Sequence, residues 1–86
     1  SMKVLYLTLA AVFCTFALQA QNKIAEEYYK KAKELYDNSK YEDAIPPLKK
    51  AITLSKNYAD AIYYLGLCYK YTSKNAEAIE QFALLE

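Results

Sequence analysis

Apolar and polar positions along the 86-residue chain fall into two regimes. From Val4 to Leu18 (VLYLTLAAVFCTFAL) the run is apolar-biased on every side, with no charge, Gly or Pro. Beyond Gln21, apolar residues recur every three or four positions, the spacing that gathers side chains on one face of a helix. Four sets follow in order: Ile24, Tyr28, Ala32, Leu35; then Tyr41, Ala44, Ile45, Leu48, Ala51, Ile52; then Ala61, Ile62, Leu65, Cys68, Tyr69; and Ala78, Ile79, Phe82, Leu85. Polar, turn-forming stretches separate them at Asp37-Asn38-Ser39, Ser55-Lys56-Asn57 and Thr72-Ser73-Lys74-Asn75. The pattern predicts an all-α chain of four helices whose short turns make neighbours antiparallel. Pro46-Pro47 lies early in the second helix and removes two N–H donors, so Pro47 is expected to delay or bend its start.

The apolar leader reads as an address. Ser1 ahead of Met2 reads as a vector remnant, and Lys3 supplies a single positive charge before the run. Fifteen apolar-biased residues suit the hydrophobic region of a secretory signal and fall short of the ~20 that a spanning helix needs. Ala20 is the small residue that cleavage requires, so residues 1–20 are expected to leave and Gln21 to become the N-terminus, with the product periplasmic or secreted and without a membrane span. A lipid-anchored Cys14 is disfavoured by the bulky Phe13 before it. If retained, the leader is expected to fill a groove of its own domain or of a neighbouring molecule. Cys68 is then the lone thiol, read as a small buried core residue.

Residues 21–86 repeat internally. A shift of 34 positions lays Ala25 on Ala59, Tyr29 on Tyr63, Ser39-Lys40 on Ser73-Lys74, and Ala44-Ile45 on Ala78-Ile79. It also lays Ala32 on Gly66, Leu35 on Tyr69 and Leu48 on Phe82. A 34-residue period of two helices resembles the tetratricopeptide repeat. The likeness extends to Tyr64-Leu65-Gly66, to Tyr69 three residues on, to the small Ala44 and Ala78, and to the helix opening Tyr41-Glu42-Asp43-Ala44-Ile45. It spans about 1.8 repeats, near residues 25–58 and 59–86, and implies tetratricopeptide-type hairpins in a right-handed superhelix. Lys56 departs from the family, standing where a Pro often ends the second helix.

In that family the first helices of successive repeats line a concave groove for a peptide or partner protein. Carried over by position, the resemblance assigns Glu26, Tyr29, Lys33 and Tyr36 from the first repeat. From the second it assigns Tyr63, Leu67, Lys70 and Tyr71. The polar set that clamps a terminal carboxylate in some relatives is missing, and Lys33 with Lys70 does not replace it. About three repeats are needed for independent stability, so Phe82, Leu84 and Leu85 are expected to form an open end. That end would be covered by further repeats or by a second chain, and self-association could run through it or through residues 4–18.

Composition narrows the chemistry. All eleven cations are Lys against ten acids, and there is no Arg and no His. A net charge of +1 argues against nucleic acid as the partner. Without His, a Ser nucleophile lacks its usual base and a metal its commonest ligand, so no cofactor, metal or catalytic residue is assigned. The single Gly precludes a phosphate-binding loop. The carboxylates at Glu26-Glu27, Glu42-Asp43 and Glu77/Glu80 sit among Lys on polar helix faces and read as solvated surface. The sequence therefore reads as an exported, non-enzymatic protein–protein interaction scaffold with a Tyr-rich groove. The alternative is the N-terminal docking segment of a larger cell-envelope protein associated with outer membrane or peptidoglycan.

Overall fold

The computed structural model describes residues 2–86. Four helices follow one another: α1 Met2–Asp37, α2 Tyr41–Leu54, α3 Ala59–Tyr71 and α4 Asn75–Ala83. α1 packs on α2, α2 on α3, and α3 on α4, with a lighter contact between α1 and α3. The fold is all-α, two helical hairpins in series. The longest dimension is 59 Å, set by α1, whose 36 residues alone extend about 54 Å.

Both interhelical turns within the hairpins use the same device. Ser39 and Ser73, 34 positions apart, adopt left-handed backbone at φ 60° and 64°. Around them Ser39 N–H donates to Tyr36 O at 2.9 Å and Lys40 N–H to Leu35 O at 2.9 Å. The second turn repeats this, with Ser73 N–H to Lys70 O at 3.2 Å and Lys74 N–H to Tyr69 O at 2.8 Å. This 6→1 and 5→2 pair is the Schellman arrangement, which satisfies the last carbonyls of a helix and reverses the chain within three residues. The repeat is therefore encoded in turn geometry as well as in apolar spacing.

Burial is graded along the chain. α1 contributes only Ala25 and Ala32, two turns apart, so that α2 approaches its backbone closely. α2 buries Ala44, Ile45, Leu48 and Ala51, and α3, covered on two sides, buries Ala61, Ile62, Leu65, Gly66, Cys68 and Tyr69. α4 buries only Ala78. Cys68 is in the core, where burial pushes its thiol up to about 11 and keeps it protonated.

Four expectations are corrected. The prolines do not delay α2, which begins at Tyr41 ahead of both. Pro46 and Pro47 leave the carbonyls of Glu42 and Asp43 without their usual acceptor role, but those residues are exposed and water can serve them. Ile79 does not face inward: it is 69% exposed, whereas Ile45 at the equivalent position is 7% exposed, since α2 is packed between α1 and α3 and α4 packs on α3 alone among the described residues. Ile24 is likewise outside the core, at 45% exposure. The leader neither folds back nor fills a groove of its own chain; residues 2–20 are exposed throughout and continue α1 without a break. The physical reason is local. Gln19-Ala20-Gln21-Asn22-Lys23 contains no Gly or Pro, so nothing in it ends the helix between the packed half of α1 and the leader.

Candidate functional site

The tyrosines meet where α1 faces α3. Tyr29 and Tyr36 lie seven residues apart on α1, hence on one face two turns from each other. The slot between them receives Tyr64 of α3, whose ring centroid is 6.0 Å from Tyr29 and 4.9 Å, edge-on, from Tyr36. Tyr58, just ahead of α3, closes one end at 5.2 Å from Tyr29. At the other end Tyr41 stands 5.3 Å from Tyr36 and 4.8 Å from Tyr71, which is 6.3 Å from Tyr36. Six rings thus form one ladder across both hairpins. Contacts of this geometry add about 0.5–1.5 kcal/mol each beyond the area they bury.

Lys33 is held within the ladder. Its Nζ donates to Asp37 Oδ1 at 2.7 Å and lies 5.1 Å from the Tyr64 ring centroid and 5.8 Å from that of Tyr36. The hydrogen bond to Asp37 raises its pKa, so the ammonium is charged at neutral pH. Three hydroxyls of the ladder, those of Tyr29, Tyr36 and Tyr58, also have raised pKa values. Burial, then the Tyr71, Tyr41 and Tyr64 phenols, push Tyr36 up to about 12. Burial followed by Asp60 raises Tyr29, and burial followed by Glu26 and Asp60 raises Tyr58. Glu26 and Asp60 line a shallow cleft with Asn22, Asn57 and Tyr58, so one end of the ladder is acidic.

The assigned residues divide into two groups. Tyr29, Lys33 and Tyr36 are half-buried and join α1 to α3; they consolidate the junction between the hairpins. Tyr63 and Tyr71 are 46% and 51% exposed and leave apolar ring area open beside the exposed Lys70. Leu67 is half-buried, and Glu26 is exposed at the acidic end. Tyr63 touches Tyr64 at 5.3 Å and Phe82 at 6.3 Å, which places it toward α4. Tyr41, Tyr58 and Tyr64 join the ladder although they were not assigned to it. The seven-residue spacing of Tyr29 and Tyr36 was the available signal, since it leaves room for one ring from a facing helix.

At the other end of the molecule, Leu84 and Leu85 are exposed, while Phe82 is half-buried with its ring laid over Gly66. Of the three residues assigned to an open end, Phe82 therefore serves the α3–α4 contact.

Comparison with known families decides the architecture. The family model described as TPR repeat matches residues 32–73. The matched stretch takes in the end of α1, all of α2 and α3, and reaches Ser73 in the second turn; it is similar to a tetratricopeptide repeat, and the all-α pair of hairpins has the form of that repeat. No curated protein and no solved structure matches the chain. Tetratricopeptide repeats are in general protein-interaction modules.

Proposed function

We propose that the chain is an exported scaffold whose α1–α3 face is the concave side of the tetratricopeptide superhelix and holds an extended peptide or partner segment. The observation that carries this reading is the tyrosine ladder. Its inner rings fix the two hairpins together, while Tyr63 and Tyr71 remain open at its margin. Tyr offers rigid apolar area with a hydroxyl that can hydrogen-bond, at a low cost in side-chain entropy. Lys70 supplies positive charge beside Tyr71, Lys33 being paired with Asp37, and Glu26 and Asp60 supply negative charge near the Tyr58 end. A bound segment would have its polarity set by that difference. Export is led by residues 1–20, which have the charge, apolar length and small-residue ending of a secretory signal.

A random 12-residue peptide library displayed on phage, selected against residues 1–86, tests the reading. Enriched peptides should lose at least about tenfold in affinity for Tyr71→Ala combined with Lys70→Ala, about 1.4 kcal/mol. Peptides that bind both proteins equally would place recognition elsewhere. Export is tested separately, by fusing residues 1–20 to a reporter that is active only outside the cytoplasm.

The exposed Ile79, Leu84 and Leu85 favour a second reading, in which the two hairpins are the docking arm of a larger cell-envelope protein and a further helix covers α4. A longer open reading frame in the source genome would establish it.

A further inference from the structure

Residues 2–20 form the free half of α1, exposed along its whole length, with Leu5, Phe13, Leu7, Val4 and Val12 distributed around the helix axis. A groove or a partner helix covers one face of a helix. A helix that is apolar all round is satisfied only by surroundings that are apolar all round. The segment meets the conditions that hydrocarbon imposes. Its backbone is helical, so its carbonyls and amides are paired internally. Thr8 Oγ1 donates to Val4 O at 2.9 Å and Thr15 Oγ1 to Ala11 O at 2.9 Å, so both hydroxyls are bonded without water. Tyr6 lies one turn from Met2, at the depth where a phenol reaches headgroups. Lys3 bounds one end, and Gln19, Gln21, Asn22 and Lys23 bound the other.

Length decides between a short signal core and a span. The apolar-biased run is fifteen residues, but no charge interrupts the chain from Val4 to Asn22 and the helix is continuous from Met2, so Met2 to Ala20 rises about 28 Å against a hydrocarbon core of about 30 Å. The expected cleavage point lies in mid-helix, within two turns of the buried Ala25. The helix passes through that point without a break, so the folded chain presents no extended segment there.

We infer that residues 2–20 remain attached and insert into a lipid bilayer as a straight extension of α1, tethering the hairpins to the membrane. Tyr29 then stands about 14 Å along the axis from Ala20. The inference shares with the proposed export only the reading of residues 1–20 as a membrane-directed segment, and it replaces the expectation of cleavage.

The test is expression of the full chain in a bacterium with two membranes, followed by fractionation, an alkaline carbonate wash and intact-mass measurement. The expected result is the full-length mass in the washed membranes, with Leu9→Lys combined with Val12→Lys moving the protein to the soluble fractions. A product starting at Gln21 in the periplasmic fraction would overturn the tether and leave export standing. Full-length protein in the cytoplasmic soluble fraction would overturn both.

Discussion

Gly66 and the Phe82 ring occupy each other's space: a Cβ built on Gly66 lies 2.5 Å from Phe82 Cε1, 2.8 Å from Cζ and 2.9 Å from Cδ1. One repeat earlier the same two positions hold Ala32 and Leu48, both fully buried. The two pairs divide similar space differently, a methyl with an aliphatic chain in one and no side chain with a ring in the other. Gly66→Ala gains about 1 kcal/mol of helix propensity and displaces the ring. It is expected to leave the unfolding free energy from urea titration within about 1 kcal/mol of the parent. Adding Phe82→Leu rebuilds the first-repeat pairing, so the double variant should be more stable than the sum of the single changes. Additivity would show that the two positions are not coupled.

Leu48 is among the largest fully buried side chains, and it sits on α2 between α1 and α3. Leu48→Ala should cost about 2–5 kcal/mol. A core of this size supplies only about 3–5 kcal/mol in total, so the far-ultraviolet circular dichroism of the variant at 25 °C should fall toward that of an unfolded chain in residues 25–86.

The left-handed serines are a reserve of stability. A non-glycine residue at that backbone position carries a steric penalty that glycine escapes. Ser39→Gly and Ser73→Gly should each raise stability by about 0.5–1 kcal/mol and together about double that, read from the shift in urea midpoint. Glycine elsewhere in either helix would have the opposite sign.

Pro46 and Pro47 lie beyond the first turn of α2, where each removes a hydrogen bond. Pro46→Ala is expected to stabilise α2 by at least about 1 kcal/mol, seen as a higher Tm, because the exposed site has no packing to lose.

Alkaline pH should loosen the hairpin junction. The Tyr36 hydroxyl titrates near 12 in the fold and near 10 when unfolded. Between those values the unfolded chain releases a proton that the native chain retains, so stability is complete below about pH 10 and declines as pH rises toward about 12. Melts at about pH 9 and about pH 11 should show the loss, and Tyr36→Phe should remove part of it.

Much of the architecture was legible in the sequence, because two-helix repeats write themselves twice. The 34-residue shift aligned the turn serines and the small crossing residues, and the structure uses both. Burial at α4 was not legible. Ile45 and Ile79 share a register, and what separates them among the described residues is that α2 packs on two helices and α4 on one. The ladder was half legible. The repeat alignment reached Tyr29, Tyr36 and Tyr71, but Tyr64 and Tyr58 join from positions whose first-repeat counterparts are Lys30 and Ile24, so self-comparison passed over them. The unbroken α1 was hidden for another reason: a composition change from apolar to polar looks like a boundary, yet a helix needs no change of geometry to cross it.

That unbroken helix also works as a shaft with a fixed angular phase. Each residue turns it by about 100°, so one residue inserted among Gln21–Ile24 would swing the tyrosine face about that far around the leader's axis. Seven inserted residues would return it to within about 20° of its first bearing, roughly 10 Å farther along. Spacing in this segment is therefore an angular coordinate as well as a distance, and the direction in which the hairpins look out from their leader is written in the number of residues between Ala20 and Ala25.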